Sequence, residues 1–351
     1  MNNVLFSILV PVYNVKSYIC EALNSILAQK SNDYEVILID DGSTDGSGII
    51  CDEYHNAYPH VFFVVHKKNE GLISARREAI QRAKGKYSIF LDSDDMLEKD
   101  CLNKLRQIIN AESDLDMVIY GFNYLYMDTQ KKIPGATLFK DGDVFKEDKE
   151  RLYRQLLYST KLNNLVIKCI KTELLQNDPT DYSKYYRNPF GEDLLQSLYP
   201  ITYAKKIIYT TAKLYIYRIH NSSMVHRFDS DKMKMHFEHD WDELLRRYMY
   251  EWGCDSELDY SLRDACLYKN MVDTIAFCWL DKSNDRKAIL AFVSQQLESE
   301  KSRLLLLART KELSLTWRIA LNLYAHEHLN ILGAYYRLLK IAVALRDRGQ
   351  K

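Results

Sequence analysis

Three carboxylates, Asp92, Asp94 and Asp95, stand within four residues of one another, with Ser93 among them. They follow directly on residues 87–91, a β-branched and aromatic run that is typical of a buried strand. Because like charges this close repel one another, a fold that holds them at a strand end needs a cation there. Hard oxygen ligands on a loop suit Mg²⁺ or Mn²⁺ and a diphosphate that shares the metal. The alternative is a solvated acidic turn before the next helix.

The elements that position this cluster alternate along the first half of the chain. Strands are predicted at residues 6–12, 35–39, 61–65 and 87–91, and helical patterns follow the first three, ending near residues 27, 57 and 83. Ser17 is expected to cap the first of these helices. Strands that alternate with helices at this spacing predict an α/β fold with a doubly wound, mostly parallel sheet.

Polar clusters fall at the carboxyl ends of three of these strands, where ligands of such sheets bind. The clusters are Pro11-Val12-Tyr13-Asn14, Asp40 and Asp41 with the turn to Asp45, and Asp92-Ser93-Asp94-Asp95. We expect Asp41 to accept a hydrogen bond from a nucleobase, with Tyr13 beside the ring, and also to form a turn. Arg76, near the start of the helix before the acidic strand, is expected to meet a phosphate rather than to lie on a solvated helix face.

Composition limits the classes of function and location that remain possible for this chain. The 48 basic and 48 acidic side chains cancel, which gives no overall field for nucleic acid. Seven scattered cysteines without a CxxC pair favour reduced thiols in a cytoplasmic protein. The start of the chain does not resemble a signal peptide, and no apolar run is long enough for a membrane span. We expect two domains, a sheet-based one over residues 1–228 and an all-helical one over residues 229–351.

The second half adds two further polar motifs. Glu192 and Asp193 open a predicted helix, where carboxylates also complement the helix dipole. Residues 215–227 leave a strand, pass Arg218, and enter a polar loop that contains His226 and Arg227. Before both motifs, residues 116–123 are expected to form a strand and residues 125–146 a hairpin or mobile loop.

Four of the motifs, taken in order, resemble those of family 2 glycosyltransferases, which are inverting enzymes with the GT-A fold. They are Ser7-Ile8-Leu9-Val10-Pro11-Val12-Tyr13-Asn14, Asp40-Asp41-Gly42-Ser43-Thr44-Asp45, Gly71-Leu72-Ile73-Ser74-Ala75-Arg76 and Asp92-Ser93-Asp94-Asp95. The resemblance is close over residues 5–110 and looser over the next hundred.

This resemblance implies a role for individual residues. Pro11, Tyr13 and Asp41 match positions that hold the uracil or ribose of a nucleotide-sugar, Arg76 one near the pyrophosphate, Asp92 the ribose-side carboxylate and Asp94 the metal ligand of the DxD motif. In the second half, Asp193 matches the catalytic base, and Glu192 would hold the acceptor or orient the loop. The segment with Arg218, His226 and Arg227 matches the one that closes over the diphosphate, with His226 as a metal or phosphate ligand.

The predicted function is therefore transfer of a sugar from a nucleotide-sugar, most readily a UDP-sugar, with Mn²⁺ or Mg²⁺ as cofactor. The acceptor would be a glycan, a lipid-linked glycan or a protein, in cell-surface polysaccharide or glycoprotein synthesis. A nucleotidyltransferase is disfavoured because the first strand lacks a Gly-rich basic loop after it. A non-catalytic carbohydrate- or partner-binding subunit that kept the fold is the alternative.

The C-terminal tail carries its own prediction. Residues 301–351 hold ten Lys/Arg against three Asp/Glu, and residues 329–347 form an apolar helical pattern. Such a helix either rests on the anionic inner face of the cell membrane or packs on its neighbours or on a second subunit.

Overall fold

The computed structural model describes residues 4–186, 191–219, 241–265, 268, 295, 301–309, 313 and 315–348. The described strands are β1 Phe6–Val12, β2 Tyr34–Asp40, β3 Phe62–His66, β4 Tyr87–Phe90, β5 Met96–Leu97, β6 Met117–Tyr126, β7 Lys131–Pro134, β8 Val144–Phe145, β9 Lys168–Lys171 and β10 Ile207–Ile219. The described helices are α1 Ile19–Leu27, α2 Ser47–Ala57, α3 Leu72–Arg82, α4 Cys101–Ala111, α5 Glu150–Tyr158, α6 Thr172–Gln176, α7 Glu192–Tyr203, α8 Trp241–Glu251, α9 Lys301–Ala308, α10 Leu315–Ala325 and α11 Leu329–Arg348.

All ten strands belong to one sheet, in the order β3-β2-β1-β4-β9-β6-β10-β5, with β7 on β6 and β8 on β10. Strands β3, β2, β1 and β4 are parallel neighbours, and β6 and β10 form a second parallel pair. The short β9 runs antiparallel to both β4 and β6, so these two groups point in the same direction. The predicted α/β fold with a mostly parallel sheet is confirmed.

The strands at the centre of the sheet are mostly apolar because they are covered on both faces. Every residue of β1, β2 and β4 is buried, as a parallel sheet between helices requires. The predicted strand at residues 116–123 extends to Tyr126, and β7 turns back on it as the predicted hairpin.

Helix α1 begins two residues later than the proposed cap. Tyr18 precedes its first residue, Ile19, and no side chain caps it, so the prediction for Ser17 is wrong. The backbone itself supplies the acceptor, since the carbonyl of Val15 receives the amides of Tyr18 and Ile19 at 2.9 and 3.1 Å. A backbone turn that satisfies these donors leaves no need for a capping hydroxyl.

The chain divides into two compact units. The first contains the sheet and α7 and includes residues 241–248. The second contains residues 153–159 and the chain from residue 249, and its described part is helical. Its core is an apolar cluster that includes Leu304, Leu321, Tyr324 and Leu332. The predicted domain boundary at residue 228 lies outside the described residues.

One face of helix α11, in the C-terminal tail, packs against the rest of the second unit. Leu332 is packed in the core of the second unit, with Tyr335 and Tyr336 against it, so this face packs on its neighbours. Ile331 and Leu338 are 55% and 65% exposed. No helix in the described part of the chain combines the length and hydropathy needed to cross a bilayer.

Candidate functional site

The three polar clusters meet at one edge of the sheet. Val12 pairs with Asp40 at the ends of β1 and β2, and the amide of Asp41 donates to the carbonyl of Val12 at 2.9 Å. On the other side of β1, the amide of Leu91 donates to the carbonyl of Leu9 at 3.0 Å. The parallel register therefore brings residues 11–14, 40–45 and 92–95 side by side, as predicted.

Pro11 and Val12 are the buried end of β1, and Tyr13 is 51% exposed beyond them. The next residue, Asn14, has a φ of 52°, and its side-chain oxygen accepts the amide of Thr44 at 2.8 Å. The amide of Asn14 in turn donates to Ser43 at 3.1 Å. These bonds join the first cluster to the second and leave the Tyr13 ring at the surface of the edge, where a flat ligand ring can stack.

Asp41 is buried, and its carboxylate shapes the loop before α3. Its two oxygens accept the amides of Glu70 and Gly71 at 3.0 and 2.8 Å, and Lys67 lies 3.5 Å away. Gly71 has a φ of 103°, and a Cβ there would lie 2.2 Å from the carbonyl oxygen of Tyr186. Since a carboxylate has about four lone-pair sites, Asp41 can build this loop and still accept a further donor.

Asp40 anchors the turn that follows β2. One of its oxygens accepts the amide of Ser43 at 3.0 Å, and the other lies 2.8 Å from Nδ1 of His66. The second ring nitrogen of His66 lies 3.0 Å from Asp52. Hydrogen bonding to Asp40 and then to Asp52 raises the pKa of His66. Sequence reasoning missed His66, and the signal was its place at the end of the strand beside Asp40.

Asp95 anchors the acidic turn to strand β10. It is buried and accepts the Tyr215 hydroxyl at 2.7 Å and the amide of Arg218 at 2.8 Å. The Tyr215 hydroxyl also accepts the amide of Asp92 at 3.3 Å. Burial, together with the nearby charge of Asp94, raises the pKa of Asp95 well above its usual range. Ser93 is buried as well, whereas Asp92 and Asp94 are partly exposed, so these two carboxylates are the ones presented at the edge.

Arg218 does not face the open edge, contrary to the prediction that it contacts the donor. Its side chain is fully buried, with the guanidinium bound to Glu21, to the carbonyl of Asp94 and, at 3.0 Å, to the carbonyl of Tyr18. It also lies over the Tyr18 ring, 5.2 Å from its centroid. These contacts place Arg218 behind the acidic turn, where it braces the turn against α1. His226 lies outside the described residues.

Arg76 connects the acidic turn to α7. Its guanidinium is 1% exposed and donates to Asp92 at 2.8 Å and to Asp193 at 2.6 Å. The buried cation lies between two partly exposed carboxylates, and their charges outweigh its burial and raise the pKa of Arg76. The predicted phosphate contact is thus replaced, in this structure, by a bridge between Asp92 and Asp193.

Glu192 and Asp193 occupy the first turn of α7, after Gly191 with a φ of 80°. Burial, and next the charge of Asp193, raises the pKa of Glu192, whereas Arg76 opposes that rise. A carboxyl group with a raised pKa beside an ion pair is a recurrent feature of functional sites. The structure therefore assembles Asp92, Arg76, Glu192 and Asp193 from three separate segments.

Lys168 is a further charged residue near this group. It is fully buried and donates to the carbonyls of Leu162, Asn163 and Asn164 at 2.7, 3.3 and 2.6 Å. Burial lowers its pKa to about 7, and the charge of Asp193 partly opposes that shift. Sequence reasoning missed Lys168, because a lysine in a short apolar strand has no local pattern that marks it as buried. It orders the turn next to α7.

A family sequence model and several known proteins match large parts of this chain. Residues 7–175 match the sequence model of glycosyl transferase family 2. Glycosyltransferase GlyG of Streptococcus pneumoniae is 30% identical over 227 residues, which are 63% of this chain and 73% of GlyG. The chain belongs to glycosyl transferase family 2.

The share of a relative's own length that this chain matches varies. TuaG of Bacillus subtilis, named for teichuronic acid biosynthesis, is 32% identical over 176 residues, which are 50% of this chain and 64% of TuaG. Across three curated relatives the match spans 63%, 31% and 73% of the relative's own length. The match therefore covers less than two thirds of several relatives.

The GT-A fold expected of a family 2 member is found in a solved structure. S. aureus TarS, residues 1–349 in complex with UDP-GlcNAc, superposes with a TM-score of 0.62 at 18% identity. The superposition covers 96% of this chain and 92% of the TarS chain. At this identity the likeness concerns the fold alone, and it includes the helical C-terminal part.

Proposed function

We propose that this family 2 member transfers a sugar from a UDP-linked donor to a hydroxyl of an acceptor, with inversion at the anomeric carbon. The observation that carries the proposal is the bridge from Asp92 through Arg76 to Asp193. It holds a carboxylate of α7 beside the sheet edge where a nucleotide-sugar would bind. The S. aureus TarS complexes with UDP and UDP-GlcNAc support the choice of donor.

Asp193 is the proposed general base. Its Oδ1 atom binds Arg76, and no described residue donates to its Oδ2 atom, which can therefore take a proton. As the acceptor oxygen attacks the anomeric carbon, its proton passes to Asp193. The bond from that carbon to the diphosphate breaks, and the diphosphate leaves with the electron pair. One displacement from the opposite face inverts the configuration without a covalent intermediate.

A divalent metal is part of the proposal. Within the described residues, no group of three or more His, Cys, Asp or Glu side chains is placed to hold an ion. Mg²⁺ is commonly held by one or two carboxylates together with substrate phosphates, and a single carboxylate at this edge fits that pattern. Asp94 is partly exposed at this edge and is the residue we assign to Mg²⁺ or Mn²⁺, with His226 as a second ligand from outside the described residues. The ion would neutralise the leaving diphosphate.

The acceptor and the location complete the proposal. We propose that the acceptor is a growing bacterial surface polysaccharide, free or lipid-linked, and TuaG supports this with its name. A protein acceptor is the alternative. Nucleotide-sugars are cytoplasmic substrates, so we place the reaction in the cytoplasm, at the inner face of the membrane if the exposed side of α11 binds lipid.

UDP release separates this enzyme from a binding subunit that kept the fold. The wild-type protein, given UDP-GlcNAc, UDP-glucose or UDP-galactose with Mn²⁺ and a cell-wall glycan extract, should release UDP from one of them. Asp193→Asn keeps the shape but cannot take the proton, so turnover should fall about 10²–10⁴-fold. UDP affinity, measured by calorimetry, should stay near the wild-type value. An Asp193→Asn protein with wild-type turnover would remove this residue from the mechanism, and absence of UDP binding would refute the function.

A further inference from the structure

A row of aromatic side chains lines one face of β6 and β10. Alternate residues of β6 are aromatic from Tyr120 through Phe122 and Tyr124 to Tyr126. Tyr217 of β10 pairs with Tyr124 in the parallel register. The ring centroids of Tyr124 lie 4.9 Å from Phe122 and 5.9 Å from Tyr217. Successive side chains of a strand alternate between faces, so these rings lie on one face of the sheet. The Tyr124 ring is nearly perpendicular to those of Phe122 and Tyr217, with interplanar angles of 81° and 77°.

Two contacts determine which face of the sheet carries this row. The hydroxyl of Tyr120 donates to the carbonyl of Val166 at 2.8 Å, in a turn that packs against α7. Arg218, which follows Tyr217, reaches α1 on the opposite face. The aromatic row therefore lies on the same side of the sheet as α7, which carries the proposed base Asp193.

The row also extends outward to the level of the acidic turn, since Ile216 pairs with Met96. Through β9, Ile89 at the end of β4 is level with Val118 of β6, so Tyr124 lies about 20 Å further along the strand direction. Burial decreases in the same direction. Tyr120 and Phe122 are buried, whereas Tyr124, Tyr126 and Tyr217 are partly exposed. Partly exposed aromatic rings grouped beside a functional site are typical of a binding surface.

This surface is continuous with the acidic turn but separate from the nucleotide end. Tyr215, two residues before Tyr217, gives its hydroxyl to Asp95 and accepts the amide of Asp92. The clusters that would hold the nucleotide lie at β1 and β2, on the other side of β4 from β6 and β10. A donor bound there leaves the aromatic rings to a second substrate.

We propose that Tyr124 and Tyr217 form a platform for a pyranose ring of the acceptor, in which one tyrosine stacks by its face and the other makes contact by its edge. Such a platform makes the acceptor a carbohydrate rather than a protein side chain. The inference rests on the proposed glycosyltransferase function. The C–H faces of a sugar ring carry partial positive charge and stack on the electron-rich face of an aromatic ring. Stacking needs no particular hydroxyl pattern, so the platform suits neutral hexose chains in general.

Two double variants test the platform with N-acetylchitotriose, cellotriose and β-1,4-galactotriose as probes. Binding to the UDP-loaded protein is measured by saturation-transfer NMR and titration up to about 10 mM, where weak stacking is detectable. Wild type should bind at least one of them. Tyr124→Ala with Tyr217→Ala should weaken that binding about tenfold or more, whereas Tyr124→Phe with Tyr217→Phe keeps the rings and the affinity. Tyr203→Ala, at the far end of α7, is the matched control and should change nothing.

UDP affinity of the same proteins separates the two proposals. The UDP affinity should be equal in wild type and all variants, since the rings lie away from the nucleotide end. Absence of UDP binding in wild type would refute the proposed function. If UDP binds but no trisaccharide does, the platform is refuted. The same holds if the double alanine variant binds the sugar as well as wild type, or if the double phenylalanine variant loses it. Thermal unfolding checks that each variant is folded.

Discussion

Arg76→Ala is the sharpest perturbation of the site, because it removes one buried cation from between two carboxylates. Asp92 and Asp193 lie 2.8 and 2.6 Å from the guanidinium, and their side chains are 29% and 24% exposed. At an effective dielectric constant near 20, each pair of charges about 4 Å apart attracts by roughly 4 kcal/mol. Two effects offset much of this attraction: water screens the partly exposed carboxylates, and the variant no longer has to desolvate the Arg76 guanidinium on folding. The net loss in unfolding free energy is about 2–4 kcal/mol.

The unfolding free energy lost in Arg76→Ala should increase with pH. Burial raises the pKa of Asp92 and of Glu192, and Arg76 opposes both shifts. Without Arg76 the folded-state pKa of each carboxyl rises further above its unfolded value, so the folded protein binds more protons than the unfolded chain. Stability of the variant therefore falls as the pH rises through these pKa values. The deficit relative to wild type should therefore be larger at pH 8.5 than near pH 4.5.

Urea unfolding of both proteins at these two pH values measures the effect. Arg82→Ala is the matched control on the same helix, since Arg82 pairs with Glu78 at the surface and should contribute less than about 0.5 kcal/mol. Arg76→Lys keeps the charge but not the fork geometry and should fall between alanine and wild type. An Arg76→Ala protein as stable as wild type, or a deficit that is equal at both pH values, would refute the bridge.

Two further predictions concern the metal and the tail. Asp94→Ala should abolish the Mn²⁺-dependent part of UDP affinity while leaving the metal-independent part, and equal Mn²⁺-dependent affinity in calorimetry would exclude Asp94 as the ligand. Leu338→Glu, on the exposed side of α11, should leave thermal unfolding unchanged but release the protein from anionic vesicles at low salt; if wild type does not sediment with such vesicles, a second protein copy becomes the better partner for this side.

The sheet edge could be predicted from the sequence because strands 6–12, 34–40 and 87–90 are local patterns. The polar residues that follow these strands lie at the carboxyl edge of the sheet, and this does not depend on the structure of the rest of the chain. The direction of Arg218 could not be predicted in the same way. Strand β10 has register shifts between Tyr209 and Tyr215, and each such irregularity changes which side chains face which side of the sheet. Counting alternate residues along the sequence therefore could not show that Arg218 faces α1.

Contacts between distant segments were also beyond the sequence. Arg76 and Asp193 are separated by 117 residues, and neither has a neighbour that marks it as half of an ion pair. An arginine near a helix start and a carboxylate in the first turn of another helix each have an adequate local explanation. Only the packing of α3 beside α7 brings them together, and that packing depends on the strands that separate the two helices in the sequence.

The same contact suggests why a buried cation is kept at this position. Apolar residues of similar volume would often serve stability equally well, so a buried ion pair is weak support for a purely structural role. Arg76 instead fixes Asp193 against Asp92, two carboxylates that would otherwise repel one another across the site. The proposed base and the proposed ribose-side carboxylate then share one counterion. A change of charge at Asp92, where the donor is expected, therefore alters the electrostatic interaction of Asp193 with Arg76. In the proposed mechanism, this arrangement would link donor binding and proton transfer through a single guanidinium.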